Sequence, residues 1–307
     1  MEPTITSCDS DLLVIGSATQ TWGLDEMGVT IIAECGVSHN GSVDEALRMC
    51  DAAKEAGADI VKFQTYLPEI AIDKNSKDYD LLSSLALSFD DFLKIAKHCE
   101  DIGIEFMSTP DDLQSLKFLV DECGIKRIKI GSGSLTYTPL LEAAIKTKLP
   151  IILSTGMATE VEIEKALSDM WGEKFNAWGI NRWDITLLHC VSLYPCPIEL
   201  ANINAIKKLK TFRYQVGYSD HTLSVVAIPC AAVALGATVI EKHFTLNRYA
   251  EGPDHAMSLG PYQFSEMVRE IRATELALGD GCKTISEQES AMIPRVRKGA
   301  DGKQPGL

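Results

Sequence analysis

One feature constrains this chain more than any other. From residue 30 onward, short β-branched runs alternate with stretches of helical periodicity, and the cycle repeats eight times. The candidate strands are Thr30–Ser38, Asp59–Tyr66, Ile104–Pro110, Arg127–Ser132, Pro150–Thr155, Asp184–Tyr194, Gln215–Thr222 and Ala237–Thr245. Helical periodicity shows between and after them, at Val43–Ala56, Asp90–Ile102, Asp112–Glu122, Glu160–Met170, Leu223–Leu235 and Pro261–Leu278. Strand-then-helix order predicts a parallel sheet of the α/β class, and eight repeats predict a (β/α)8 TIM barrel. Several helix ends carry their own signals. Ser42 with Glu45, and Thr159 with Glu162, have capping-box spacing, while Gly57, Gly103, Gly124 and Gly236 stand where helices must stop. No Pro/Gly/Ser-rich linker interrupts the alternation. The expected organisation is an N-terminal extension, residues 1–29, capping the barrel bottom, a barrel over 30–285, and a tail over 286–307.

Charge and cysteine usage narrow the function. Acidic residues outnumber basic ones by 43 to 29, a net charge of −14, which repels a phosphate backbone or an anionic membrane surface. No nucleic-acid or membrane partner is expected, and any anionic substrate requires a locally basic pocket. The longest apolar run, Ile228–Ile240, is too short to span a bilayer, and the first thirty residues lack the pattern of a signal peptide, so a cytoplasmic location is expected. The nine cysteines are scattered without a C-x-x-C pair and read as reduced, mostly buried thiols.

The informative residues are polar ones inside strands that ought to be apolar. A parallel barrel strand is buried on both faces, so a charge within it is costly unless it is paired or meets a ligand. Glu34, Lys62, Gln64, Lys129, Ser154, Ser192, Tyr194, Ser219, His221, Glu241 and His243 all stand near the C-terminal ends of their strands, the end at which barrel enzymes place their chemistry. Residues two apart share a face, so Lys62 with Gln64, Ser192 with Tyr194, Ser219 with His221, and Glu241 with His243 can point into one mouth. His189 has the opposite parity to the second pair and reads as a hydrogen-bonded structural histidine. Lys62 and Lys129, with Ser132, Ser154, Ser219 and the loop glycines Gly131, Gly133 and Gly156, suit a phosphorylated or carboxylated anion; the alternative is a structural ion pair with Glu34 or Glu241. His221 and His243 can hold one divalent metal or be uncharged core histidines.

The segments IIAECGVSHNG, AKEAGADIVKFQ, KIGSG, ILSTGM, YP, GYSDHT, EKHFT and GPDH occur in the order and spacing of the N-acetylneuraminate (sialic acid) synthase family, which the chain resembles from about Thr30 to Leu278. The resemblance implies condensation of phosphoenolpyruvate with an open-chain N-acetylated aminosugar, such as N-acetylmannosamine, to give a nine-carbon 2-keto-3-deoxy acid and phosphate. It implies a divalent metal, Mn²⁺ with Mg²⁺ or Co²⁺ as substitutes, on His221 and His243. It assigns phosphoenolpyruvate contacts to Lys62, Lys129, Ser132, Ser154, Ser192 and Ser219, and sugar contacts to Glu34, Gln64, Tyr194 and Asp254. Glu34 is further expected to orient the substrates or relay a proton, and the assembly is expected to be a homodimer.

Two departures from the family pattern stand out. The acidic residue that usually follows the glycine of GSG is replaced by Ser134, and the chain ends at Leu307, where the family pattern continues into a small antifreeze-like domain. The alternatives are a related synthase using another acceptor aldehyde, a non-catalytic barrel serving nonulosonate biosynthesis, and a class I aldolase with a Schiff base on Lys62 or Lys129.

Overall fold

The structure, a computed structural model, describes residues 28–171 and 184–304. The expected N-terminal cap falls on residues 1–29 and lies, but for its last two residues, outside them. Among the described residues, eight parallel strands follow in chain order: β1 Thr30–Gly36, β2 Ile60–Thr65, β3 Glu105–Pro110, β4 Ile128–Ile130, β5 Ile151–Ser154, β6 Ile185–His189, β7 Gln215–Asp220 and β8 Val239–His243. They are hydrogen-bonded in the order β3-β2-β1-β8-β7-β6-β5-β4. β3 and β4, at the two ends of that order, lie side by side and bring the cylinder close to closure. This is the (β/α)8 barrel that the alternation predicts.

The helices are α1 Val43–Glu55, α2 Pro68–Ala71, α3 Tyr79–Leu85, α4 Phe89–Ile102, α5 Leu113–Asp121, α6 Thr138–Lys146, α7 Glu160–Trp171, α8 Ala205–Lys210, α9 Ala227–Ala234 and α10 Pro261–Leu278. The capping signals act as expected. The Ser42 hydroxyl accepts the Glu45 N–H at 3.3 Å, and Thr159 and Glu162 cap each other's N–H groups. Gly103 takes the left-handed conformation, φ +73°, that closes α4. Periodicity does not announce α2, α3 and α8, which are short; α6 buries Leu140, Leu141, Ala144 and Ile145 along one face and adds to the helices read from the sequence. A separate compact unit takes in the chain from Leu276 onward, and its described part carries two short, exposed helices, Glu287–Ser290 and Ile293–Val296.

The barrel interior explains where the site must be. Ile32, Ile60, Met107, Ile152, Leu188 and Val239 form one apolar cluster inside the cylinder, each worth roughly 1.5 to 3 kcal/mol when fully buried. Two residues further along β1, β2, β5 and β8, on the same face, stand Glu34, Lys62, Ser154 and Glu241. The apolar layer is the floor on which a polar layer rests. Residues of opposite parity, among them Ile31, Ala33, Val61 and Phe63, pack outward into the main core beneath the helices.

Most strands stop one to five residues before the sequence pattern suggests. The largest difference is at β6, expected to reach Tyr194 but ending at His189. Beyond it the backbone turns to His221 instead of a neighbouring strand: the Val191 carbonyl accepts its Nδ1–H at 2.6 Å, and the Cys196 N–H donates to its carbonyl at 2.8 Å. Ser192 and Tyr194 are therefore loop residues, and strand parity does not govern them. α9 also begins later than expected, at Ala227, because the Lys242 ammonium holds the carbonyls of Thr222 and Ser224.

Candidate active site

A cavity of about 410 Å³ opens at the C-terminal ends of the strands. All twelve of the site residues read from the sequence line it: Glu34, Lys62, Gln64, Lys129, Ser132, Ser154, Ser192, Tyr194, Ser219, His221, His243 and Asp254. Glu34, Lys62, Gln64, Lys129, Ser154, Ser219 and His243 come from strands, while His221 follows β7 directly. Ser132 sits in a 3-10 turn after β4, and Asp254 precedes another such turn after β8.

Register sets the centre of the site. Glu34 is paired across the ladders with Lys62 on one side and His243 on the other. The Lys62 ammonium lies 2.6 Å from Glu34 Oε2 and 3.6 Å from Glu241 Oε2, and donates to Thr109 Oγ1 at 3.1 Å. Lys129 donates to Ser154 Oγ at 2.8 Å and stands 3.6 Å from Glu241 Oε1. Glu241, registered opposite Ser219, accepts that hydroxyl's hydrogen bond at 2.8 Å. The alternative raised for the lysines, ion pairing with Glu34 or Glu241, is present. The pocket is also not simply basic. Two lysines face four carboxyl groups, those of Glu34, Asp111, Glu241 and Asp254.

Burial decides how these charges are held. It pushes the Glu34 carboxyl up to about 7, against the pull of Lys62. Burial acts on Glu241 in the same sense, but Lys129, Lys62 and the Ser219 hydrogen bond outweigh it and hold that carboxyl at about 2. For Lys62 burial is overcome by Glu241 and Glu34, so its proton is held more tightly than usual; for Lys129 burial wins and the ammonium is weakened.

The histidine rings of His221 and His243 lie 5.6 Å apart. Burial lowers the proton affinity of both, leaving neutral imidazoles. His221 donates its Nδ1–H to Val191, so its Nε2 carries the lone pair, 3.3 Å from Ser219 Oγ; Nδ1 of His243 is buried without a hydrogen-bond partner among the described residues. Neutral rings with an unused nitrogen are the chemistry a divalent metal needs. Among the described residues no third His, Cys, Asp or Glu joins them to complete a protein-only metal cage, so water or substrate oxygen would fill the remaining positions. The Tyr194 ring packs on His221 with centroids 4.2 Å apart. His189, as expected, is structural: it bonds the Ala201 carbonyl at 2.9 Å and packs on Tyr218.

Two glycines allow the close approaches. Gly36, φ +49°, sits at an irregularity in β1, where a Cβ would collide with the Asp254 carboxylate. At Gly156 a Cβ would strike Ser132, Ser192 and Cys190; its N–H donates to Ser132 Oγ at 3.0 Å. Sequence reading did not single out Thr109, Asp111, Met157 or Cys190, which also line the cavity. Asp111 follows a proline at the end of β3 and stands beside Asp112, which caps α5. Ser134, where an acid is usual, is not among the lining residues.

The profile of the NeuB family matches residues 49–283. An N,N'-diacetyllegionaminic acid synthase of Campylobacter jejuni is 41% identical, over 87% of this chain and 83% of the relative. An uncharacterised protein of Methanocaldococcus jannaschii is 47% identical, over 87% of this chain and 77% of the relative. Among solved structures, the N-acetylneuraminic acid (sialic acid) synthetase of Leptospira borgpetersenii, crystallised with citrate, superposes with a TM-score of 0.79 at 36% identity, covering 87% of this chain and 90% of the other. Relatives named as N,N'-diacetyllegionaminic acid, pseudaminic acid and N-acetylneuraminate-9-phosphate synthases are 34 to 39% identical over 264 to 286 residues, and with the family profile they establish that this chain belongs to the NeuB family.

Proposed function

We propose that the chain condenses phosphoenolpyruvate with an open-chain N-acetylated aminosugar, giving a nine-carbon 2-keto-3-deoxy sugar acid and phosphate. One observation carries the reading: two buried lysines on different strands, four serine hydroxyls and two neutral histidines converge on one cavity at the catalytic end of a barrel. Lys62, Lys129, Ser132, Ser154, Ser192 and Ser219 bind the phosphate and carboxylate of phosphoenolpyruvate. Gln64, Tyr194 and Asp254 hold the acceptor. His221 and His243 are the residues that would hold a divalent ion, Mn²⁺ or in its place Mg²⁺ or Co²⁺. When bound, such an ion supplies Lewis-acid stabilisation of charge developing on the aldehyde oxygen.

C3 of phosphoenolpyruvate forms a bond to the aldehyde carbon, whose oxygen takes up a proton. A water then adds to C2 and gives up a proton; the C2–O bond to phosphate breaks with its electron pair as the new C2 hydroxyl becomes the ketone, its remaining proton leaving with phosphate. Glu34, with its proton affinity raised to about 7, suits the transfer of that proton between water and aldehyde oxygen. Its pairing with Lys62 has a second consequence. An incoming anion competes for the lysine, so Glu34 is driven further toward its neutral form as the substrate binds. Fixed donors around the anion and the positioning of both substrates supply the larger share of the rate.

The test is phosphate release from phosphoenolpyruvate with a panel of N-acetylated and diacetamido hexoses, with and without Mn²⁺. Acceptor-dependent and metal-dependent release is expected; none with any acceptor overturns the reading. The weakened Lys129 ammonium favours one competitor, Schiff-base chemistry. Borohydride trapping of a pyruvate adduct on Lys129 would establish it. A homodimer in the cytoplasm, where phosphoenolpyruvate is made and used, completes the proposal, and the mass of the protein in solution checks the assembly. Among the described residues no helix is long and apolar enough to cross a membrane.

A further inference from the structure

Of the four carboxyl side chains in the cavity, three are already engaged by the protein. Glu34 is paired with Lys62 and accepts from Gln64 Nε2 at 3.2 Å; Glu241 accepts from Ser219 and faces both lysines; Asp254 accepts the Val37 N–H at 3.2 Å. Asp111 lines the same cavity, and its carboxyl has neither a hydrogen bond nor an ion pair among the described residues. Yet its backbone is pinned on both sides. The Asp111 N–H donates to the Thr65 carbonyl at 3.1 Å. The next residue, Asp112, caps α5 by accepting from Ser115 at 2.8 Å and ties down the following loop by accepting from the Leu67 N–H at 2.9 Å. A fixed main chain that presents an unpaired carboxyl to a cavity is arranged for something that enters the cavity.

We propose that Asp111 recognises the acceptor, selecting aldehydes that present a hydroxyl or amide N–H to the rim of β3. The inference rests on the condensation reading above and adds to it a specificity-determining residue. Charge argues for the acceptor side, because Glu34 and Glu241 are offset by the lysines they face, whereas a carboxylate without an ion pair repels the phosphate and carboxylate of phosphoenolpyruvate. Position agrees. Asp111 follows directly on β3, whose Thr109 stands in register with Gln64, a residue assigned to the acceptor. Burial pushes the Asp111 carboxyl up to about 6 against the pull of Lys62, so its anion is held at a cost that a donor from the acceptor removes.

Initial-rate kinetics on the full chain decide the matter, using the best acceptor of the panel and its monodeoxy analogues. Asp111→Ala is expected to raise the acceptor KM by about tenfold to hundredfold while the phosphoenolpyruvate KM stays within about twofold. One monodeoxy analogue should lose the same factor with the wild-type chain and nothing further with the variant. Asp111→Asn, which preserves shape, serves the same cycle should the alanine variant fold poorly. An unchanged acceptor KM, or an equal rise in both KM values, overturns the assignment of Asp111 and leaves the condensation reading standing. A wild-type chain that releases no phosphate with any acceptor overturns the condensation reading, and this inference with it.

Discussion

Lys62 and Glu34 stand in register on neighbouring strands and form a buried ion pair of 2.6 Å at the centre of the cavity, with the carboxyl held up at about 7 against an ordinary 4.5. A carboxyl raised by folding contributes stability that is fully present below its unfolded value and lost as pH rises through its folded value. Between about pH 4.5 and 7 the folded chain holds a proton here that the unfolded chain has released, so stability falls with rising pH by at most about 1.4 kcal/mol per unit. Glu241, held at about 2, works in the opposite sense: its contribution is complete above 4.5 and is lost as pH falls toward 2. Glu34→Gln should therefore lose less stability than the wild type between pH 5 and 7.5. Urea unfolding at the two values measures this, and parallel losses would show that Glu34 is not the titrating group.

Lys129→Ala should weaken phosphoenolpyruvate binding by about tenfold to hundredfold, the loss of one charge-assisted contact worth roughly 1.5 to 3 kcal/mol. Acceptor affinity should change less. Calorimetry with each ligand separates the two, and unchanged phosphoenolpyruvate affinity would leave Lys129 as a structural partner of Glu241 and Ser154.

His221→Ala and His243→Ala should each abolish Mn²⁺ binding and metal-dependent turnover while far-ultraviolet circular dichroism is unchanged. EDTA should do the same to the wild type, and added Mn²⁺ should restore it. Either variant retaining Mn²⁺ in an electron paramagnetic resonance titration would remove the pair from the metal assignment.

Much of this was legible in the chain because a parallel barrel makes polarity informative. Where both faces of a strand are buried, Lys62, Lys129 and Glu241 have no structural excuse except each other or a ligand, and parity then places Gln64 and His243 beside them. Legibility ended with the strands. Ser192 and Tyr194 reach the cavity on a loop shaped by hydrogen bonds to His221, a partner about thirty residues away that periodicity does not register. Asp111 was missed because its role depends on what its neighbours already do. The adjacent Asp112 is consumed by capping, and only the three-dimensional partner set shows the Asp111 carboxyl without a hydrogen bond or ion pair among the described residues. The locally basic pocket required by the acidic composition was also too simple, since carboxyls outnumber lysines in the cavity and burial adjusts their charge.

The residue between Glu241 and His243 shows the same strand at work on its other face. Lys242 is fully buried; its ammonium lies 2.7 Å from Asp220 Oδ2 and donates to the Thr222 and Ser224 carbonyls. Asp220 in turn accepts the Thr222 N–H at 2.9 Å, so one ion pair fixes the chain on both sides of His221. Lys242→Met removes the cation but leaves the carboxylate and two carbonyls buried, which should cost about 3 to 5 kcal/mol in urea unfolding. Adding Asp220→Leu should recover part of that loss, because the uncompensated charge goes with it. Metal affinity should not recover in the double variant, since the segment that carries His221 has lost its anchor. A double variant that regains both stability and Mn²⁺ affinity would show that the ion pair holds neither His221 nor the turn after β7 in place.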